Sequence, residues 1–237
     1  MDLNVHFVPD AVTNDALIAL NTRLKAIGVN GVDLEHASIP HLTAYLTIFK
    51  AEDDTLQAIK DKIKELSSKF CPLPSLHITG VSIKGKYCFV NIEMSIELMT
   101  CCENIWNNLL TYLSKDKNDM KIPPWVEALN DINIIKKKKE LCLQYGSPNI
   151  FDQFTDPHFT VGVIAPENES MVDIKQVQET LDLWWQEMSC ATNSSSGNEL
   201  SCVLEKLSVG AVGDYGSVVV KDVNMTAEAL SSRTRRS

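Results

Sequence analysis

The chain has 237 residues, 44% hydrophobic and 22% charged, which is the composition of a folded globular protein and length enough for one good-sized domain or two small ones. Its net charge of −9 and pI near 5.0 repel polyanions, arguing against long nucleic acid as the resting partner while leaving room for a small anion held locally. The opening MDLNVHFVPD has no basic region or apolar run of signal-peptide length, and no stretch approaches the roughly 20 apolar residues that span a bilayer, so the expected location is cytoplasmic with no membrane contact.

LNVHFV (residues 3 to 8) alternates and is β-rich, which predicts a strand, and Leu17, Leu20, Leu24 and Ile27 recur at helical spacing over 12 to 27. HLTAYLTIF (41 to 49) reads as a second strand, followed by an amphipathic helix over 52 to 69 marked by Leu56, Ile59, Ile63 and Leu66. SLHITGVSI and KYCFVNIEM flank a KGK turn and predict a hairpin. The second half repeats this order, with a helix near 96 to 113, a strand HFTVGVI (158 to 164), a helix near 171 to 188 carrying the core pair Trp184 and Trp185, and strands near 201 to 209 and 217 to 223.

Each half therefore reads helix, His-x-Thr strand, helix, hairpin. The NSSSGN stretch, residues 193 to 198, reads as a flexible loop that absorbs the longer spacing of the second half. Residues 114 to 155 break the symmetry with KDKND, Pro123, Pro124, the run Lys136 to Lys139 and YGSPN, and read as an insertion, either a lid over the site or a surface excursion. The terminal SSRTRRS reads as a disordered tail. An odd count of seven cysteines without a CxxC pair predicts reduced thiols, and the sequons at Asn168, Asn193 and Asn224 carry no weight in a cytoplasmic protein.

On a strand, residues i and i+2 share a face, so the histidine and threonine of a His-x-Thr converge on one side of the sheet. The sequence holds His41/Thr43, His77/Thr79 and His158/Thr160. The first and last recur at equivalent places of the repeat, each after a proline, Pro40 and Pro157. His77 lies on a hairpin strand whose counterpart has no histidine, and with His6 and His36 it is read as structural. Histidine titrates near neutrality and can take or give a proton, while threonine hydroxyls can donate to the oxygens of a phosphoryl group in its transition state. No GxxxxGK[ST], GxSxG, HExxH or carboxylate cluster at metal-ligand spacing is present.

PHLTAYLTIF and DPHFTVGV together resemble the paired motifs of the 2H phosphoesterase superfamily, the 2'-5' RNA ligase/cyclic phosphodiesterase type, over roughly residues 3 to 223. The resemblance implies a single bilobal, pseudo-symmetric α/β (α+β) domain over 1–225, with the insertion at about 114–155, a tail over 226–237, and two mainly antiparallel sheets forming a V-shaped groove flanked by helices. It implies a metal-independent phosphodiesterase, without cofactor, that opens 2',3'-cyclic phosphates to 2'-phosphates or cleaves a 2'-5' linkage in a small nucleotide or RNA end, as a monomer. The implied catalytic residues are His41, Thr43, His158 and Thr160, with His158 as base and His41 as acid or the reverse. Tyr45, on the face of His41, is the candidate to stack a base, with a core or groove-wall role as the alternative, as for Phe49 beside it. Lys136 to Lys139 either meet phosphates or are solvated charge. The alternatives are a nucleotide- or RNA-binding module acting as sensor or scaffold, and an RNA-end-processing exonuclease.

Overall fold

A computed structural model describes residues 1–50, 52–116, 122–193 and 200–218. The described strands are β1 (Asp2–Pro9), β2 (Leu42–Ile48), β3 (Leu73–Lys84), β4 (Tyr87–Ile92), β5 (His158–Val163) and β6 (Ser201–Ala211). The helices are α1 (Ala11–Ala26), α2 (Asp53–Phe70), α3 (Ile96–Leu109), α4 (Pro124–Glu127), α5 (Ile132–Tyr145) and α6 (Ile174–Asn193). Every predicted strand through 209 and every predicted helix is present, with ends moved by a few residues. The predicted strand near 217 to 223 is described only as far as Val218, which bridges Val212. The tail and most of the NSSSGN stretch lie outside the described residues.

The strands pair antiparallel in one closed ring, in the order β1-β2-β5-β4-β3-β6. This corrects the expectation of two separate sheets. The ring is nonetheless symmetric, because mapping β1, β2 and β3 onto β4, β5 and β6 returns the same set of neighbours. The repeat is thus β1-α1-β2-α2-β3 followed by β4-α3-β5-α6-β6, with α4 and α5 inserted. Even the irregularities repeat, since the β1/β2 register shifts between Val5 and His6 and the β4/β5 register shifts between Cys88 and Phe89.

The seam between β2 and β5 is a single register pair, Leu42 with Phe159. Continued along the strands, this register sets Pro40 opposite Val161 and Pro157 opposite Ala44. A proline has no N–H to give to a ladder, so pairing stops on both sides. The Ala44 carbonyl is taken instead by the buried indole of Trp106 on α3, which donates to it at 2.8 Å.

The helices close over the ring with the faces their sequences dictate. Leu17, Leu20 and Leu24 of α1, Leu56, Ile59, Ile63 and Leu66 of α2, Leu98, Ile105 and Leu109 of α3 and Val177, Leu181 and Trp184 of α6 are buried in one core. The start of α1 is capped by Asp10, whose carboxylate accepts from Thr13 N at 2.9 Å and also from Val203 N of β6 at 2.9 Å. All seven cysteines are free thiols, as predicted, and burial pushes those of Cys88, Cys101 and Cys202 up to about 12, which makes them packing groups rather than nucleophiles. No described helix is long and apolar enough to cross a membrane.

The insertion is helical where the sequence predicts only an irregular excursion. Asp131 caps α5 by accepting from Asn133 N and Ile134 N, and Gly146 ends it at φ 70°. The end of α5 lies on β2, where the Tyr145 carbonyl accepts from the hydroxyls of Tyr45 at 2.7 Å and Thr47 at 3.3 Å. A Cβ on Gly146 would collide with Thr47 Oγ1 as well as strain the backbone. Gly146→Ala should therefore cost about 2 kcal/mol or more, read as a lower urea midpoint. An unchanged midpoint would mean that the insertion is not fastened to β2 there.

Candidate active site

The β2/β5 register that pairs Leu42 with Phe159 also sets His41 beside Thr160 and Thr43 beside His158. Leu42 and Phe159 are fully buried. Because side chains alternate along a strand, the four flanking residues turn together to the opposite face. Diagonal neighbours on such a face stand about 7–8 Å apart, the relation between His41 and His158. His41 and Thr160 line one pocket with Val32, Leu34, Tyr215 and Ser217, and a charge on His158 lowers the proton affinity of His41. The four residues predicted for catalysis are therefore brought together.

Each histidine is oriented by the same device. His41 Nδ1–H donates to the Ile39 carbonyl at 2.9 Å and His158 Nδ1–H donates to the Asp156 carbonyl at 2.7 Å. A carbonyl can only accept, so both rings carry the proton on Nδ1 and keep a lone pair on Nε2. The intervening residue is Pro40 or Pro157, and proline drives the residue before it into extended backbone, here Ile39 and Asp156, whose carbonyls then meet the rings.

The adjoining strand supports each histidine with a second ring. His6 of β1 pairs across to Thr43 and lies edge-on to His41 at 5.3 Å, while Phe89 of β4 pairs across to Thr160 and packs on His158 at 4.0 Å. These are equivalent places of the repeat. His6 is 1% exposed, donates Nδ1–H to the Asn4 carbonyl at 3.0 Å, and has no partner for Nε2 among the described residues. Desolvation, with the charge of His41 behind it, lowers its pKa to about 3, so it is neutral at pH 7. Burial likewise lowers His41 and His158, and for His158 the Asp156 carboxylate and backbone oppose the shift.

Apolar and cationic groups rim the site. Asn21 of α1 fixes the wall by donating to the carbonyls of Val32 at 3.0 Å and Val161 at 2.9 Å and accepting from Leu34 N at 3.0 Å. Tyr215 sits at φ 57°, uncommon for a bulky residue, with Lys86 Nζ 4.4 Å from its ring centre. Lys84 Nζ pairs with Asp156 at 2.8 Å.

Other candidates lie elsewhere. Tyr45 shares a strand with His41 but is 1% exposed and bonded to the Tyr145 carbonyl, and Phe49 is equally buried, so neither reaches a ligand and the base-stacking expectation for Tyr45 is corrected. Lys137, Lys138 and Lys139 are held inside the insertion by Asp152, Asn149 and Glu127. His77 and Thr79 are exposed on β3, with His77 paired to Ser201 of β6 across the ring from the β2/β5 seam. His36 meets Asp33 and Glu35 on the surface. His6, by contrast, is read from sequence as structural yet stands beside His41, and the alternation of Asn4 and His6 on β1 is the signal that it shares the site's face. No protein-family model matches the chain, and no curated protein matches it.

Proposed function

We propose that the chain is a phosphodiesterase of the 2H phosphoesterase kind, hydrolysing a small or cyclic nucleotide phosphodiester by acid/base catalysis between His41 and His158. The observation that carries this reading is the β2/β5 register, which sets His41 beside Thr160 and Thr43 beside His158 on one face, with an Nε2 lone pair on each ring.

One Nε2 takes a proton from water as its oxygen attacks phosphorus, and the other histidine, protonated, returns one to the departing oxygen. Thr43 and Thr160 donate to the non-bridging oxygens, where charge concentrates. These groups supply proton transfer and charge stabilisation without a metal. Lys86 at the rim attracts an anion locally, Lys84 being paired with Asp156, whereas a net charge of −9 opposes a long polyanion and weighs against an RNA exonuclease.

The test is an assay of the purified protein on nucleoside 2',3'-cyclic phosphates and 2'-5' dinucleotides, with and without EDTA. The expected result is a 2'-monophosphate, or cleavage of the 2'-5' linkage, at a rate EDTA leaves unchanged. Loss with EDTA and recovery with Mg²⁺ or Mn²⁺ would overturn the mechanism, and binding without turnover would favour a nucleotide sensor.

A further inference from the structure

The two halves of the site match in strand, motif, proline and bulge, and differ in the supporting ring, His6 or Phe89, and in the residue two places before it. Two residues before His6 on β1 stands Asn4, and two before Phe89 on β4 stands Tyr87, the equivalent place by register. Asn4 is 0% exposed. Its Nδ2 lies 3.3 Å from His41 Nε2, 3.1 Å from Thr43 Oγ1 and 3.4 Å from the Gly216 carbonyl.

The direction of these contacts follows from valence. The Gly216 carbonyl can only accept, which fixes the amide with its nitrogen toward the site. His41 Nδ1–H is committed to Ile39, so Nε2 faces Asn4 as an acceptor. The amide therefore donates to the nitrogen that would exchange a proton with substrate. Among the described residues its Oδ1 is buried without a partner. The Nδ1 contact of His158 is a copy of that of His41, but position 87 offers a phenol rather than an amide.

We infer that Asn4 is a positioning residue that divides the roles of the two histidines, its amide on Nε2 holding His41 unprotonated as the general base and leaving His158 to act as the general acid. This rests on the phosphodiesterase reading. In the step, the Asn4 amide gives up its hydrogen bond to His41 Nε2, whose single lone pair takes a water proton as the water oxygen bonds to phosphorus, the P–O bond to the leaving oxygen breaks, and that oxygen takes the proton from His158 Nε2. Return of one proton from His41 to His158 through solvent resets the site, with no net gain or loss.

A hydrogen bond donated to the neutral form of a base disfavours its protonation. Of the other groups facing His41, the Ile39 carbonyl raises its proton affinity, as the Asp156 carbonyl does for His158, whereas His158 from β5 lowers it when charged and His6 from β1 is neutral and already bonded to Asn4. Lys206 of β6 bears on His6, Tyr215 closes the pocket, and around His158 the Asp156 carboxylate favours protonation while Lys84 opposes it.

The test is the pH profile of kcat/KM for Asn4→Asp. A carboxylate against His41 raises its proton affinity by about 1 unit or more. If His41 is the base, the acidic limb moves to higher pH and the alkaline limb, set by His158, stays. Movement of the alkaline limb alone would make His41 the acid, and a drop in rate with both limbs in place would make Asn4 merely structural; either overturns the proposal. Imidazole ¹⁵N spectra of the full chain provide a reading independent of turnover. In the unsubstituted protein His41 should carry its proton on Nδ1 and titrate at lower pH than His158, and the reverse order would overturn the proposal even if Asn4→Asp does not fold. Absence of turnover on every phosphodiester tried would sink the functional reading while these spectra still decide the role of Asn4.

Discussion

His41→Ala and His158→Ala should each lower the turnover of a nucleoside 2',3'-cyclic phosphate by roughly 10² or more, the scale of losing a general acid or base. Both rings serve one transition state, so the double variant should be little worse than either single one. Thr43→Val and Thr160→Val remove a donor but no proton transfer and should cost less, on the order of 1 to 3 kcal/mol of transition-state stabilisation. His77→Ala is the control, because His77 is exposed on β3 and pairs with β6 far around the ring from the seam. Initial rates for folded variants decide the matter. A dead His77→Ala beside an intact His41→Ala would mean that the motifs were paired wrongly.

The pairing of His41 with His158 was legible because it rests on local signals that occur twice: an alternating strand, a proline before the histidine and helices on either side. The ring itself was not legible. Its closure depends on β6 joining β1 and β3, contacts between distant parts of the chain for which strand alternation gives no partner. Helix α5 was missed although its signals were present, an Asp cap at 131 and a Gly stop at 146, because the lysine run between them reads as solvated charge. Tyr45 was misplaced for a tertiary reason. Strict alternation would set it on the face of His41, but the register shift between Thr43 and Tyr45 turns it to the core face opposite Val5, where its hydroxyl meets the Tyr145 carbonyl. Asn4 carries no sequence signal and His6 reads as structural because neither belongs to a motif, and only the β1/β2 register shows them beside Thr43 and His41.

His6 should make the protein acid-sensitive. Its folded-state pKa of about 3 lies below the ordinary value of 6.5, so between these values the unfolded chain binds the proton that the folded chain refuses. Stability on this account is fully present above pH 6.5 and is lost as pH falls toward 3, by about 1.4 kcal/mol per pH unit and on the order of 5 kcal/mol in all. His41 and His158, also lowered by burial, add in the same direction. The repeat itself supplies the substitution that isolates His6, since the equivalent place holds Phe89, packed against the other histidine at 4.0 Å. His6→Phe keeps an aromatic ring against His41 and removes a buried Nε2 that has no partner among the described residues, a group costing about 1–3 kcal/mol when left unsatisfied. Urea unfolding at pH 7, 6, 5 and 4 should give the variant a midpoint at least equal to that of the unsubstituted protein at pH 7 and a clearly shallower fall below 6. Parallel falls would mean that His6 takes up its proton as readily folded as unfolded, and that the polar pocket around Asn4 is open to water.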